Sequence, residues 1–192
     1  MERILCFISE NMADFEVTLA LHKLKQIGKR DIIAVGDTFG SITSESGLRY
    51  LPDTTLAQAF NLEDVEGLII PGGPIQLQQP VLTDLIRRLD VEKKMLAAIC
   101  NGPQYLAYAG ILTHRKFTTS CSPEAIAELG IVDPFPRQNY LDRRVVRDGH
   151  IITAKGRAFV DFAFEIFAYL GIYQSDPQEQ PRLLQDIVNR NT

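Results

Sequence analysis

Met95-Leu-Ala-Ala-Ile-Cys-Asn-Gly-Pro-Gln104 sets the architecture of this chain. Leu96 to Ile99 is an unbroken apolar run, the pattern of a strand buried on both faces of a parallel sheet. Pro103 to Gly110 reads as a helix, with proline at its first position and glycine as its stop. The turn between them carries a cysteine at its apex, with Ala98 two residues before it and Gly102 two residues after. That spacing belongs to a strand–turn–helix bend so sharp that bulky neighbours would collide, and it strains the apex backbone. Cys100 is thereby lifted clear of the sheet toward the free N–H groups of a helix start, which favour thiolate over thiol. The expectation is a nucleophilic or oxidisable thiol with a pKa below that of free cysteine. A strand-end cysteine that merely packs is the plain alternative, and the small-residue spacing with Pro103 argues against it.

Outward from this elbow, strand and helix signals alternate almost throughout, which predicts a mainly parallel sheet covered by helices on both faces. Strands are expected over 4–8, 32–35 and 67–70, and helices over 14–27, 53–60, 80–93 and 159–170. Ser122-Pro123-Glu124 opens a further helix that Gly130 ends. A short hairpin is expected within 40–51 and another over 145–153, turning at Asp148-Gly149. These elements make one α/β domain over residues 1–173. Residues 174–192 read as a polar linker and a last helix (182–190), packed on the domain or on a partner subunit.

Composition narrows the function classes. The 192 residues suffice for one full core, and a net charge of −4 with a pI near 5.4 argues against a nucleic-acid surface. No apolar stretch is long enough to cross a bilayer, and the chain enters a strand at once without signal-peptide regions. Three cysteines, with no Cys-x-x-Cys pair and no zinc-type spacing, suit a reducing cytoplasm and leave no metal site to propose.

In an open α/β sheet, ligands bind beyond the carboxyl ends of the strands. Two loops there accompany the elbow: Ser9 to Glu16 after the first strand, and Pro71-Gly-Gly-Pro74 after the third buried strand. The glycines Gly72 and Gly73 allow close approach to a ligand oxygen, and the N–H groups of Gly73 and Asn101 form a candidate oxyanion hole. Glu16 has two readings. It complements the dipole of the first helix, or its carboxyl group hydrogen-bonds the Cys100 sulfur. A protonated Glu16 would donate to a thiolate, whereas an ionised one would repel it and raise the Cys100 pKa.

Phe15-Glu16, Leu68-Ile-Ile-Pro-Gly-Gly73, Ala97-Ala-Ile-Cys-Asn-Gly-Pro103, Phe117-Thr-Thr119 and Val146-Arg-Asp-Gly149…Ile152-Thr-Ala-Lys-Gly156 occur in one order over about residues 1 to 171. This order resembles the ThiJ/PfpI superfamily, the flavodoxin-like relatives of class I glutamine amidotransferases. The resemblance implies a three-layer flavodoxin-like sandwich and a homodimer without cofactor. It further implies Cys100 as nucleophile or redox thiol, Glu16 as its carboxyl partner, and Gly73 with Asn101 as backbone donors. The chain also departs from the pattern. Hydrolytic members carry a histidine directly after the cysteine, where this chain has Asn101. Others bring one from the loop after the Thr-Thr pair, where Ser120, Cys121 and Ser122 follow here. None of His22, His114 or His150 matches a family base position. Peptidase or amidotransferase activity is therefore not expected, since an amine leaving group needs a proton donor.

Two functions remain open: a cysteine-dependent enzyme on a small carbonyl or amide compound, of glyoxalase, deglycase or hydrolase type, and a redox-sensing or stress-protective protein whose Cys100 is oxidised to sulfenic or sulfinic acid without turnover. The partner is thus a small-molecule substrate or an oxidant. Cys121 is a possible redox partner of Cys100, set against a loop cysteine that pairs with nothing. Cys6 is mid-strand and packs. A flavin- or nucleotide-binding reading finds no phosphate-cradling glycine fingerprint after Ile8.

Overall fold

A computed structural model describes residues 2–188. Three adjacent strands form the middle of the sheet: β1 (Arg3–Phe7), β6 (Val65–Ile70) and β7 (Met95–Ile99). Their apolar runs are buried on both sides, and alternate residues feed two separate cores. Leu5 and Phe7 face one core, whereas Ile4 and Cys6 face the other. On one side of β1 lie β2 (Asp31–Gly36) and the edge strand β5 (Thr54–Thr55); beyond β7 lie β9 (Ile151–Ala154) and β8 (Val145–Asp148). The order is β5-β2-β1-β6-β7-β9-β8, parallel throughout except for β8, which pairs antiparallel with β9. A separate hairpin, β3 (Ile42–Thr43) with β4 (Arg49–Tyr50), stands off the sheet. The flavodoxin-like α/β sandwich is present.

Helices α1 (Phe15–Gln26) and α6 (Phe159–Leu170) cover one face, while α2 (Leu56–Ala59), α3 (Pro80–Val91), α4 (Pro103–Tyr108) and α5 (Pro123–Glu128) cover the other. Ser122 caps α5 by accepting the Ala125 N–H at 3.1 Å. Gly171, at φ +61°, ends α6 in the left-handed conformation that a side chain would strain. The order in which strands are added reverses between β1 and β6, so their carboxyl ends open a crevice, and the elbow after β7 stands beside it.

Three local expectations are corrected. Thr54-Thr55 joins the sheet edge instead of starting a helix, and Thr55 caps the short α2 by accepting the Gln58 N–H. Asp148 pairs with Ile151, so Gly149 and His150 make the hairpin turn, with Gly149 at φ +64°. The last helix, α7 (Glu179–Val188), begins three residues early, inside the stretch expected as linker. It lies against α6: Gln180 Nε2 donates to Phe164 O at 3.2 Å, and Leu183 and Leu184 pack on the α6-side core. The expected end of this helix at Arg190 falls outside the described residues.

Candidate active site

Cys100 occupies the elbow with φ +62°, a left-handed conformation that costs a non-glycine residue about 1–2 kcal/mol. Neighbours hold the strain in place. The Cys100 N–H donates to Ala154 O at 2.8 Å, and its carbonyl accepts from Ser120 N at 2.9 Å and Thr119 Oγ1 at 2.7 Å. Two residues on, a Cβ at Gly102 would sit 2.7 Å from Pro71 O and 2.8 Å from Ile70 O. The small residue that the spacing demanded is therefore a steric necessity, since backbone cannot move aside as a side chain tip can.

Glu16, in the first turn of α1, is buried at 2 % exposure, and its carboxyl group lies beside the Cys100 sulfur. The Gly72 N–H donates to Glu16 Oε2 at 2.8 Å. Gly72 thus spends its N–H on orienting the carboxyl group, and that N–H does not face a ligand. Two glycines wall the pair. A Cβ at Gly72 would lie 2.5 Å from both Cys100 Cβ and Glu16 Oε2, and one at Gly156 would lie 2.6 Å from Glu16 Oε1 and 3.0 Å from Cys100 Sγ.

Ser120 completes the surroundings of the sulfur. Its Oγ accepts the Gly156 N–H at 3.0 Å, which leaves its hydroxyl hydrogen to turn toward the sulfur, and the hydroxyl works to lower the Cys100 thiol. Sequence reasoning missed both Ser120 and Gly156. Gly156 carried a signal, a glycine two residues past the carboxyl end of β9; Ser120 carried none.

Burial, then the Glu16 charge and its hydrogen bond, push the Cys100 thiol up to about 12, against smaller lowering by the Ser120 hydroxyl and the Asn101 N–H. This reverses the expected acidity: the elbow does present donors, but it also wedges the sulfur between two glycines beside a carboxylate. The Glu16 carboxyl is raised as well, by burial first, with the Gly72 N–H and Cys100 opposing and Glu45 adding. Glu16 in its charged form is thus an accepting neighbour for the thiol proton.

The second loop is tied to the elbow by Asn101 Nδ2, which donates to Gly73 O at 2.8 Å. Gly73 has φ +142°, and a Cβ there would lie 3.0 Å from Asn11 O. Its N–H has no acceptor among the described residues, whereas the Asn101 N–H faces the Cys100 sulfur. A buried acid that the sequence reading passed over, Asp14, anchors the β3–β4 hairpin to this side of the molecule. It accepts from Ser44 at 3.0 Å, Tyr50 at 2.8 Å and Ser46. Burial works to raise Asp14, but these three hydroxyls outweigh it and hold the carboxyl below the usual aspartate value.

The remaining candidates are not gathered here. Cys121 is buried in the core on the opposite face from the one Cys100 packs against, and no disulfide links the three cysteines. Cys6 is fully buried, and burial pushes its thiol up to about 12. His150 lies at the amino end of β9, away from the elbow, where Nε2 meets Asp90 Oδ1 at 2.7 Å. Among the described residues, no group of three His, Cys, Asp or Glu side chains is arranged to hold a metal ion, and no helix is long and apolar enough to cross a membrane.

Comparison with known proteins places the chain. Deglycase PfpI of Pyrococcus furiosus is 30 % identical over 159 residues, covering 80 % of this chain and 89 % of the relative. Protein dj-1beta of Drosophila melanogaster is 25 % identical over 169 residues, covering 84 % and 86 %. The crystal structure of the DJ-1 superfamily protein Atu0886 from Agrobacterium tumefaciens superposes with a TM-score of 0.81 at 26 % identity, covering 97 % of each chain. The model of the DJ-1/PfpI family matches residues 2–169, from the first strand to the end of α6, and the chain belongs to that family.

Proposed function

We propose that this protein is a cysteine-dependent enzyme acting on small carbonyl compounds, of glyoxalase or deglycase type, with Cys100 as nucleophile and Glu16 as its proton carrier. The observation that carries the reading is a buried carboxyl group set beside a partly exposed thiol, the two walled by Gly72 and Gly156. A raised thiol pKa means the resting sulfur keeps its proton, so a base must remove it during attack; Glu16 is in contact to do so. The names of relatives, among them Deglycase PfpI, point the same way.

With a 2-oxoaldehyde, Cys100 Sγ bonds to the aldehyde carbon while its proton passes to Glu16. The carbonyl π pair moves to oxygen, toward the N–H groups of Gly73 and Asn101. Glu16 returns the proton to that oxygen, giving a neutral hemithioacetal. Glu16 then moves the C–H proton from the former aldehyde carbon to the ketone carbon, while the hydroxyl proton on the former aldehyde oxygen passes to the former ketone oxygen, which leaves a thioester and a hydroxyl group. Water cleaves the thioester, releasing a 2-hydroxy acid and the thiol. No amine has to leave in this glyoxalase-type route, so the absence of a placed histidine is no obstacle to it. A peptide or amide substrate would lack its proton donor.

Incubation with methylglyoxal tests the proposal. The expected result is lactate formation that falls at least about 100-fold in Cys100→Ser and in Glu16→Gln, the scale on which general base catalysis operates. Absence of turnover, with Cys100 found as sulfinate after mild peroxide treatment, would support the redox-sensing role instead.

A further inference from the structure

We propose that the cleft starting at Ser120 is an anion-holding subsite, so that the carbonyl substrate of Cys100 carries a carboxylate or phosphate group. This rests on the carbonyl reading above and names the substrate class within it. The cleft has a volume of about 550 Å³, within the range of small-molecule sites. Arg137, Lys155 and Arg157 line it together with Ser120, Ser122 and Tyr140, and no acidic residue does.

The three cations differ in how they are held. Arg137 is fixed in place. Asp133 accepts from its Nε at 2.7 Å and from Nη2 at 3.3 Å, Cys121 O accepts from Nη1 at 3.0 Å, and the Phe135 ring lies 4.5 Å beneath. Lys155 is paired with Asp142. Glu124 stands near Arg137 from the first turn of α5. None of these acids lines the cleft. Arg157 is exposed and has no carboxylate partner among the described residues. One guanidinium held in place and a second without a carboxylate partner, lining the same cleft, suit a planar or tetrahedral anion.

Geometry joins this cleft to the sulfur. Lys155 and Arg157 flank Gly156, whose Cβ position is 3.0 Å from Cys100 Sγ, and Gly156 donates to Ser120 Oγ at 3.0 Å. Ser120 itself both lines the cleft and touches the sulfur. An anionic tail lying in the cleft therefore sets the carbonyl end of the same molecule beside Ser120, at the elbow.

The test compares 4,5-dioxopentanoate, a 2-oxoaldehyde with a carboxylate tail, against uncharged methylglyoxal. The kcat/KM ratio is expected to favour the anion at low salt, to fall as salt screens the charges, and to drop about fivefold in Arg157→Gln. A binding arm is independent of turnover: calorimetric titration of Cys100→Ser with succinate and with inorganic phosphate. At least one should bind, weakened about fivefold or more when Arg157→Glu is added; which one binds tells carboxylate from phosphate. Binding of this kind without any aldehyde turnover would keep the subsite and overturn the enzymatic reading. Methylglyoxal turnover with no succinate or phosphate binding, and with a ratio insensitive to salt and to Arg157, would overturn the subsite and leave the enzyme standing.

Discussion

At the scale of single residues, the site is a sulfur surrounded by groups of opposite effect. Ser120 and the Asn101 N–H favour the thiolate; burial and the Glu16 carboxylate favour the thiol, and they win. Removing one donor should tip the balance further. Ser120→Ala is expected to slow Cys100 alkylation at fixed pH by about fivefold, the worth of one modest hydrogen bond, with little change in fold. Iodoacetamide kinetics with unfolding controls would check it. Gly156→Ala should be harsher, because its Cβ would press into both Glu16 and Cys100; turnover is expected to fall by at least about 100-fold while circular dichroism stays near wild type. The meeting of Cys100 with Glu16 was foreseeable in the sequence because the elbow spacing and the loop order bring both to one end of the sheet. Ser120 was not: a lone serine has no pattern, and only the folded loop shows that its hydroxyl reaches the sulfur. The thiol's acidity was misjudged for a related reason. Sequence shows donors at a helix start, but it does not show how tightly Gly72 and Gly156 close on the sulfur.

Among elements, the elbow and the hairpin tether carry separate loads. Gly102 admits the α4 start against the carbonyls of Ile70, Pro71 and Ile99. Gly102→Ala should therefore cost about 1–3 kcal/mol in urea unfolding, as overpacking against immobile backbone does. Asp14 tethers the β3–β4 hairpin, and its depressed pKa fixes a direction in pH. A carboxyl group lowered on folding contributes stability that is present above its unfolded value, near 3.8, and is lost as pH falls through the lower folded value. Asp14→Asn should thus lower Tm at neutral pH, with the gap to wild type closing below about pH 4. A gap constant across that range would assign the tether no ionic part. The buried strands were readable because apolar runs of this length have few other fates. Thr54-Thr55 was not, since two residues at a sheet edge carry no periodicity, and edge pairing overrode the helical signal of the following residues.

For the whole molecule, the crossover between β1 and β6 and the elbow after β7 bring three loops, distant in sequence, to one end of the sheet. The alternation of elements made that topology foreseeable. The cationic cleft was not, because Arg137, Lys155 and Arg157 come from separate segments that only the fold assembles. We also propose that the protein is a homodimer, as the family resemblance implies. Phe15 supports this: it is 51 % exposed at the start of α1, edge-on to Phe159, and offers apolar surface next to the site. Light scattering should give twice the 21.5 kDa of one chain, and a monomer mass at micromolar concentration would end this proposal.

The pH profile of Cys100 alkylation, measured side by side in wild type and Glu16→Gln, bears most directly on the idea that thiol and carboxyl act as one unit. The wild-type midpoint should lie above the ordinary cysteine value of 9.0, and the Gln variant, freed of the carboxylate charge, should titrate at clearly lower pH. Superimposable profiles would mean that Glu16 does not govern the sulfur, and the proposed chemistry would lose its base.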